Sequence, residues 1–270
     1  MEFWKINGNG NDFITILAPT GGESDEELSA LARRLCRRRA SIGADGLLVL
    51  APSNCANFKM RLFNADGSEA EMCGNGARCM ARFAFEKGIA PAKMTFETLA
   101  GTVGASVEGN FVRIDLGRIS FDNGWIDRPL SREGTEYRTC FLTAGVPHLV
   151  IFPGDRLSRR EMLDVGRAFR HADLFPGGTN VTFARPAGRG EIEAVTYERG
   201  VEDLTDSCGT GCAAAALSAN AVLHMESPVD VANPGGVNRI AFQRLDALSY
   251  RVSLGGATAV AAMGEVGPDA

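Results

Sequence analysis

The stretch Asn64-Ala-Asp-Gly-Ser-Glu-Ala-Glu-Met-Cys-Gly-Asn-Gly-Ala-Arg-Cys79 decides how this chain folds. It follows an extended apolar segment, crosses a turn at Asp66-Gly67, and enters a predicted helix just after Cys73. The first N–H groups of a helix have no partners inside it, and the glycines of Gly74-Asn75-Gly76 let another molecule approach them. The sequence therefore predicts an anion site with a thiol beside it.

The same arrangement recurs at Cys208-Gly209-Thr210-Gly211, ahead of a run of small residues at 212–217. This second helix is apolar nearly all round, which predicts a buried helix wrapped by a sheet. Because the N-terminus of a helix carries partial positive charge, we expect the thiolate to be favoured and the pKa of both thiols to be lowered.

Two capping boxes predict that the chain is an internal duplication. Ser24 with Glu27 opens an amphipathic helix, and Ser24 lies 49 residues before the first of the two cysteines. Ser158 with Glu161 opens another helix, and Ser158 lies 50 residues before the second cysteine. A period of this length indicates two similar halves rather than a solenoid.

Apolar or alternating runs around the helices predict strands in both halves. The strands of the first half are predicted at residues 1–6, 13–17, 47–50, 58–63, 94–98, 102–107 and 111–116. Those of the second half are predicted at residues 137–142, 148–152, 180–184, 191–197, 239–242 and 250–254. Residues 117–132, with several Gly, Asp, Asn and Pro, are interpreted as a linker, and the closing run 257–263 can pair with the first half. The predicted domains are residues 1–117 with about 256–270, and residues 118–255.

The composition is that of an ordinary globular protein, with 270 residues, 45% hydrophobic and 23% charged. A net charge of −5 argues against a nucleic-acid surface, and the basic run at 33–39 is interpreted as a solvated helix face. No apolar stretch approaches membrane-spanning length, and residues 1–5 do not resemble a signal peptide. Seven cysteines without framework spacing fit a reducing compartment. These features predict a cytoplasmic protein with neither nucleic-acid nor membrane partners.

Most of the cysteines are expected to be small buried hydrophobes. This interpretation covers Cys36, Cys55 and Cys140, and also Cys79 and Cys212, which lie inside their helices. A metal site is not expected, because spacings of six and four residues within helices are unlike those of a zinc ribbon.

Two thiols at two helix starts indicate proton transfer at a carbon next to a carboxylate. The helix N-terminus binds the carboxylate, one cysteine removes the α-proton as thiolate, and the other returns a proton to the opposite face as thiol. The carbanion would be stabilised by helix-terminal N–H groups in a dry cavity. The predicted result is inversion of an amino-acid α-carbon without a cofactor.

The motifs that carry this chemistry resemble those of the diaminopimelate epimerases. The resemblance covers residues 64–79, Gly10-Asn11-Asp12-Phe13, Pro147-His148, Thr179-Asn180-Val181, Tyr197-Glu198-Arg199-Gly200 and Cys208-Gly209-Thr210-Gly211, in the family's order. It implies an α/β (α+β) fold of two pseudo-symmetric domains, each a curled mixed or antiparallel sheet around a central helix. It also implies an active site in the cleft between the domains, with Cys73 and Cys208 as the two acid/base residues.

The resemblance also implies roles for the other motif residues. The backbones of Gly74-Asn75 and Gly209-Thr210 would hold the reacting carboxylate. Asn11, Asn64, Asn180 and Arg199 would bind substrate, with the guanidinium of Arg199 on the far carboxylate. Glu198 would contact an amino group, and His148 and Glu198 would tune the two thiols.

Four positions depart from the family's usual pattern. Asn7 stands where His is usual, and Val146 where many members carry Asn or another polar residue. Leu204 and Asp206 stand in a segment that commonly reads Glu-Thr-Leu-Ala. The lost carboxylate at Leu204 and the gained one at Asp206 could change the pKa of the second thiol or the substrate.

Three readings of the function remain open. The first is interconversion of LL- and meso-diaminopimelate, a step towards lysine and cell-wall precursors, by a homodimer acting on a small-molecule amino acid. The second keeps the chemistry on another polar amino acid, such as histidine. The third is a non-catalytic binder, against which the retention of both thiols argues.

Overall fold

The computed structural model of the chain describes residues 1–19 and 24–270, which form two compact units. The first unit comprises Met1–Asp115 and Gly255–Ala270, and the second comprises Leu116–Leu254. Strands β8 (Phe111–Arg132) and β16 (Ser249–Glu265) each begin in one unit and end in the other. The chain therefore crosses between the units within strands.

The first unit is a mixed sheet with two helices. Its elements in chain order are β1 (Glu2–Gly8), β2 (Asn11–Leu17), α1 (Asp25–Leu35), β3 (Gly46–Ala51), β4 (Phe58–Asn64), β5 (Glu69–Ala70), α2 (Gly74–Glu86), β6 (Lys93–Thr98), β7 (Gly101–Glu108) and the first part of β8. The strand order is β16-β1-β2-β3-β4-β6-β7-β8. Strand β2 is parallel to β3 and β4 is parallel to β6, whereas β16 pairs antiparallel with β1.

The second unit repeats this order element by element. It contains β9 (Thr135–Ala144), β10 (Val146–Phe152), α3 (Arg159–Arg170), β11 (Asn180–Gly188), β12 (Glu191–Glu198), β13 (Asp203–Thr205), α4 (Gly209–Leu223), β14 (Val229–Asn233), β15 (Gly236–Arg244) and the first part of β16. The strand order is β8-β9-β10-β11-β12-β14-β15-β16, with β10 parallel to β11 and β12 parallel to β14. The parallel pairs recur at equivalent places, so the predicted duplication and fold class are confirmed.

Each unit has one helix on either face of its sheet. Helix α2 contacts β1, β2, β3, β4 and β7, and α4 contacts β9, β10, β11, β12, β14 and β15. Helix α4 is buried from Gly211 to Ala219, because its alanines let the surrounding strands approach it closely. Helices α1 and α3 cover the outer faces and bury Leu28 and Phe169 in two further apolar cores. The predicted central, sheet-wrapped helix is thus confirmed in both units.

Both predicted capping boxes are present. Ser24 accepts a bond from the Glu27 backbone and Ser158 from the Glu161 backbone, while each glutamate bonds back to the backbone N–H of its serine. In α1 the acidic first turn and basic last turn also suit the helix dipole. These caps fix where the outer helices begin.

Two expectations from the sequence are wrong, and three strands were not predicted. Residues 117–132 are not an irregular linker but the second part of β8, where register shifts and the positive φ of Gly117 and Asp127 absorb the turn-forming residues. Strands β5, β13 and β14 were not predicted. Cys55 is exposed rather than buried, whereas Cys36 and Cys140 are buried as expected.

Within the described residues, no helix is long and apolar enough to cross a membrane.

Candidate active site

In the first unit, Cys73 is the residue immediately before α2 and is partly exposed. The turn that leads to it is held by its own side chains. Asp66 accepts bonds from the backbone and hydroxyl of Ser68 at 2.8 and 2.6 Å, and the Ser29 hydroxyl of α1 donates to the Gly67 carbonyl at 2.6 Å. The outer helix α1 therefore anchors the segment that carries the cysteine.

Asn75 and Asn11, both expected to touch substrate, are bonded to each other. The Asn75 amide donates to Asn11 Oδ1 at 2.6 Å, and the buried Arg78 donates to Asn75 Oδ1 at 2.7 Å. Asn11 Nδ2 in turn donates to Asp45 Oδ2 at 3.1 Å. The orientation of the Asn11 amide is thus fixed from both ends. Asn64, the last residue of β4, is exposed, and its Nδ2 donates to Ser68 Oγ at 3.0 Å.

An ion-pair cluster lies beside Asn11 and holds the start of β2 in place. Arg38 donates to both carboxylate oxygens of Asp12 and to Asp45, with Nη2 2.7 Å from an oxygen of each. Lys5 Nζ lies 3.1 Å from Asp12 Oδ2. Partial burial alone would raise the pKa of Asp12, but the bonds from Arg38 and Lys5 lower it. Sequence reasoning missed Asp45, whose only signal was an acidic residue between Gly43 and Gly46.

In the second unit, the predicted residues form one hydrogen-bonded chain. The Arg199 backbone N–H donates to Asn180 Oδ1 at 2.7 Å, which turns Asn180 Nδ2 towards His148 Nε2 at 3.4 Å. His148 Nε2 lies 3.0 Å from Thr210 Oγ1, which lies 3.5 Å from Cys208 Sγ. These side chains meet because His148 and Asn180 are register partners on β10 and β11, beside the start of α4.

His148 is fully buried and neutral. Burial lowers its pKa to about 3, and the positive charge of Arg199 contributes to the shift. The Asn180 amide and the Thr210 hydroxyl both face Nε2, whereas the buried Nδ1 has no hydrogen-bond partner among the described residues. At neutral pH the ring is therefore uncharged, and the expectation that His148 tunes a thiol stays a prediction.

Cys208, the residue before α4, is buried and has Glu198 beside it. Burial raises the pKa of the Cys208 thiol, and the negative charge of Glu198 raises it further. Bonds from the Thr210 hydroxyl and the Gly211 backbone act in the opposite direction, but burial outweighs them. The expected lowering of the thiol pKa is therefore wrong for Cys208. Burial also raises the pKa of Glu198, while its bonds to Thr205 and Cys208 lower it.

The last glycine of each motif has a packing reason that the sequence did not reveal. A Cβ on Gly211 would lie 2.5 Å from Thr196 Oγ1 and 3.1 Å from Thr182 Oγ1. A Cβ on Gly76 would lie 3.3 Å from a methyl carbon of Leu48. These glycines let the start of each central helix approach the sheet closely.

The departures from the family pattern fall at structurally different places. Asn7 Oδ1 accepts from the Gly10 backbone at 3.3 Å and closes the β1–β2 turn. Val146 is a half-buried residue at the start of β10. Leu204 packs in the core beneath α3, and Asp206 is exposed.

Among residues 1–19 and 24–270, no group of three His, Cys, Asp or Glu is arranged to hold a metal ion.

Each of the two units has a sheet around a helix that follows directly on a cysteine. This arrangement defines a class of α+β proteins built from two similar units. The same fold is found in a phenazine biosynthesis protein of the PhzF family from Bacillus anthracis, with a TM-score of 0.75, 15% identity and 98% of both chains covered.

The chain belongs to the diaminopimelate epimerase family, whose family model, described as diaminopimelate epimerase, matches residues 3–121 and 140–260. A relative of that name from Caldanaerobacter subterraneus subsp. tengcongensis is 41% identical over 253 residues, which cover 88% of this chain and 90% of the relative. Another of that name, from Aquifex aeolicus, is 41% identical over 233 residues, covering 80% of each. The resemblance recognised from the motifs is confirmed, and the chain is an isomerase.

Proposed function

We propose that this protein interconverts LL- and meso-diaminopimelate by inverting one α-carbon without a cofactor. The observation that carries the proposal is the repeated helix start, a cysteine followed by Gly-x-Gly, in a chain that matches the family over both halves. Curated relatives at about 40% identity bear the name of this activity.

Cys73 and Cys208 are the acid/base pair in this proposal. One sulfur, as thiolate, takes the α-proton and becomes a thiol, and the electron pair of the broken C–H bond stays on the carbon and its carboxylate. The other thiol gives its proton to the opposite face and becomes a thiolate. The reverse reaction exchanges the two roles, and positioned acid/base groups contribute about 10²–10⁴-fold each.

Glu198 supplies the basicity that the buried Cys208 thiol lacks. Its carboxylate accepts a hydrogen bond from the thiol. When Cys208 acts as the base, its S–H proton passes to Glu198 and the thiolate so formed takes up the α-proton, which leaves a neutral thiol beside a protonated Glu198. This role for Glu198 stands beside the contact with a substrate amino group that the family resemblance implies.

The remaining groups bind the substrate. N–H groups at Gly74-Asn75 and Gly209-Thr210 hold the reacting carboxylate, since helix starts bind anions. Asn11 and Asn64 in the first unit and Asn180 in the second bind polar atoms of the substrate. The exposed Arg199 uses one N–H on the Gly177 carbonyl, and its guanidinium has further donors for the far carboxylate.

We further infer that the protein works as a cytoplasmic homodimer on this small molecule. Sedimentation of the purified chain and fractionation of cells that express it test both inferences. A monomer at all concentrations would contradict the first of them.

The deciding experiment is α-proton exchange in D₂O with a panel of amino acids. We expect exchange and inversion of diaminopimelate, and loss of inversion in Cys73→Ala and Cys208→Ala with the fold retained. Cys55→Ala, which removes an exposed thiol, is the matched control and should be fully active.

Near wild-type inversion by either active-site variant would contradict the two-base mechanism. Much faster turnover of histidine or another amino acid would change the assigned substrate. If no amino acid undergoes exchange, the hypothesis of a non-catalytic binding protein would be favoured.

A further inference from the structure

Thr205 lies at the end of β13, three residues before Cys208, on the face of the sheet that carries Glu198. Its hydroxyl is 3.0 Å from Glu198 Oε2 and 3.4 Å from the Thr196 carbonyl. A hydroxyl has one hydrogen to donate, and a charged acceptor at the shorter distance takes it. The Thr205 hydroxyl therefore bonds to the Glu198 carboxylate.

We propose that Thr205 is a positioning residue, whose hydroxyl keeps the Glu198 carboxylate ionised and aimed at the Cys208 thiol. The role rests on the proposed function, because Glu198 acts there as the acceptor of the thiol proton. In the sequence Thr205 matches the threonine of the segment that commonly reads Glu-Thr-Leu-Ala, and it stands between the departures at Leu204 and Asp206.

The other charged groups near Glu198 are engaged elsewhere. Asp203, its register partner on β13, is paired with Arg159 of α3 at 3.1 Å. The Arg199 guanidinium donates to the Gly177 carbonyl at 3.2 Å. On α4 the titratable group that faces Glu198 is Cys208, and on β10 His148 is neutral. The described surroundings thus supply Glu198 with two hydrogen-bonding side chains, Thr205 and Cys208.

The consequence is a predictable dependence on pH. Burial raises the pKa of Glu198, and the bonds from Thr205 and Cys208 hold it down. Removing the Thr205 hydroxyl leaves a half-buried carboxylate with one donor fewer. A bond of this kind shifts an ionisation equilibrium by roughly tenfold to a hundredfold, or about one to two pH units. Glu198 would then become protonated at a higher pH and could no longer accept the thiol proton.

The test compares three substitutions. Thr205→Val keeps the branched shape and removes the hydroxyl, whereas Thr205→Ser keeps the hydroxyl and removes the methyl group. Thr98→Val in the first unit removes a buried hydroxyl that donates to the Gly101 carbonyl at 2.8 Å, and it serves as the control. Carboxyl ¹³C NMR of glutamate-labelled protein, assigned with Glu198→Gln, reports the pKa of Glu198 in each.

We expect Thr205→Val alone to raise the pKa of Glu198 by about one to two pH units. The acidic limb of the kcat/KM profile should move to higher pH equally for the forward and the reverse epimerisation, since the equilibrium constant fixes the ratio of the two kcat/KM values. At a pH below the Glu198 pKa of both variants, kcat/KM should be lower by roughly tenfold to a hundredfold in Thr205→Val than in Thr205→Ser. At higher pH the difference between the two variants should vanish.

The same Glu198 titration in Thr205→Val and Thr205→Ser would overturn the proposal. If Thr205→Val does not fold, Thr205→Ala makes the same comparison with less crowding. The NMR titration needs no substrate, so a protein that epimerises nothing would refute the proposed function and still decide the role of Thr205.

Discussion

Substituting Gly211 by alanine tests whether the catalytic helix start is held by close packing. Two opposing effects are involved. Alanine is favoured over glycine within helices by about 1 kcal/mol. Against this, the new Cβ would lie 2.5 Å from Thr196 Oγ1, 3.1 Å from Thr182 Oγ1 and 3.3 Å from Cys208 Cβ.

The crowding cannot be relieved by a flexible side chain. Thr182 and Thr196 are buried, their hydroxyls are 3.0 Å apart, and both belong to paired central strands. Overpacking of such a site costs about 1–3 kcal/mol. The expected net loss in the free energy of unfolding is therefore about 0–2 kcal/mol, which corresponds to a fall in Tm of up to about 8 °C for a chain of this size.

Activity should fall more than stability. The Gly211 backbone bonds to the Cys208 thiol and opposes the rise in its pKa, so displacing the helix start weakens that bond. We expect kcat to fall and the pH optimum to shift upwards, measured by epimerisation assays alongside urea unfolding. Thr196→Ala combined with Gly211→Ala forms a double-mutant cycle, whose coupling should be favourable by about 0.5–3 kcal/mol. A more stable and fully active Gly211→Ala would refute the packing argument.

Three further predictions follow from single contacts. Asp12→Asn should destabilise the fold at neutral pH, because it removes the ion pairs of the Asp12 carboxylate. The difference in stability from wild type should shrink as the pH falls through the lowered pKa of Asp12, since the stability given by the ion pairs is present only above that range. Acid unfolding curves measure this difference, and a difference that stays constant with pH would contradict the prediction. The His148 ring should keep one protonation state between pH 5 and 8, since its pKa is about 3; NMR with His148→Gln for assignment checks this, and a titration in that range would show that the ring is hydrated. Val146→Asn should lower KM for diaminopimelate by roughly tenfold to a hundredfold with kcat little changed, as expected for an added hydrogen bond to a carboxylate; impaired turnover would mean that the pocket is built for another amino acid.

The sequence by itself determined the helices and the duplication. Side-chain oxygens at Ser24 and Ser158, each followed three residues later by glutamate, specify helix starts through bonds within one turn. The two helices that begin after Cys73 and Cys208 were marked equally clearly by glycines and by the apolar run that follows them. Such signals are local, because the hydrogen bonds and residue types that form them lie close together in the chain.

Strands were less fully determined, because their partners are distant in the chain. Residues 117–132 contain enough turn-forming residues to look like a linker, yet pairing with β9 draws them into β8. The short strands β5 and β13 exist because β4 and β12 offer them an edge. Pairing over such separations overrides local preference.

The electrostatics of the site were decided by tertiary structure alone. The sequence places Cys208 at a helix start, which favours the thiolate, but only the fold shows that the thiol is buried beside Glu198, which raises its pKa. Likewise, only the pairing of β12 with β13 brings the Thr205 hydroxyl to Glu198. Desolvation and hydrogen bonding depend on what surrounds a group in space, and that environment is assembled from strands that the sequence keeps apart.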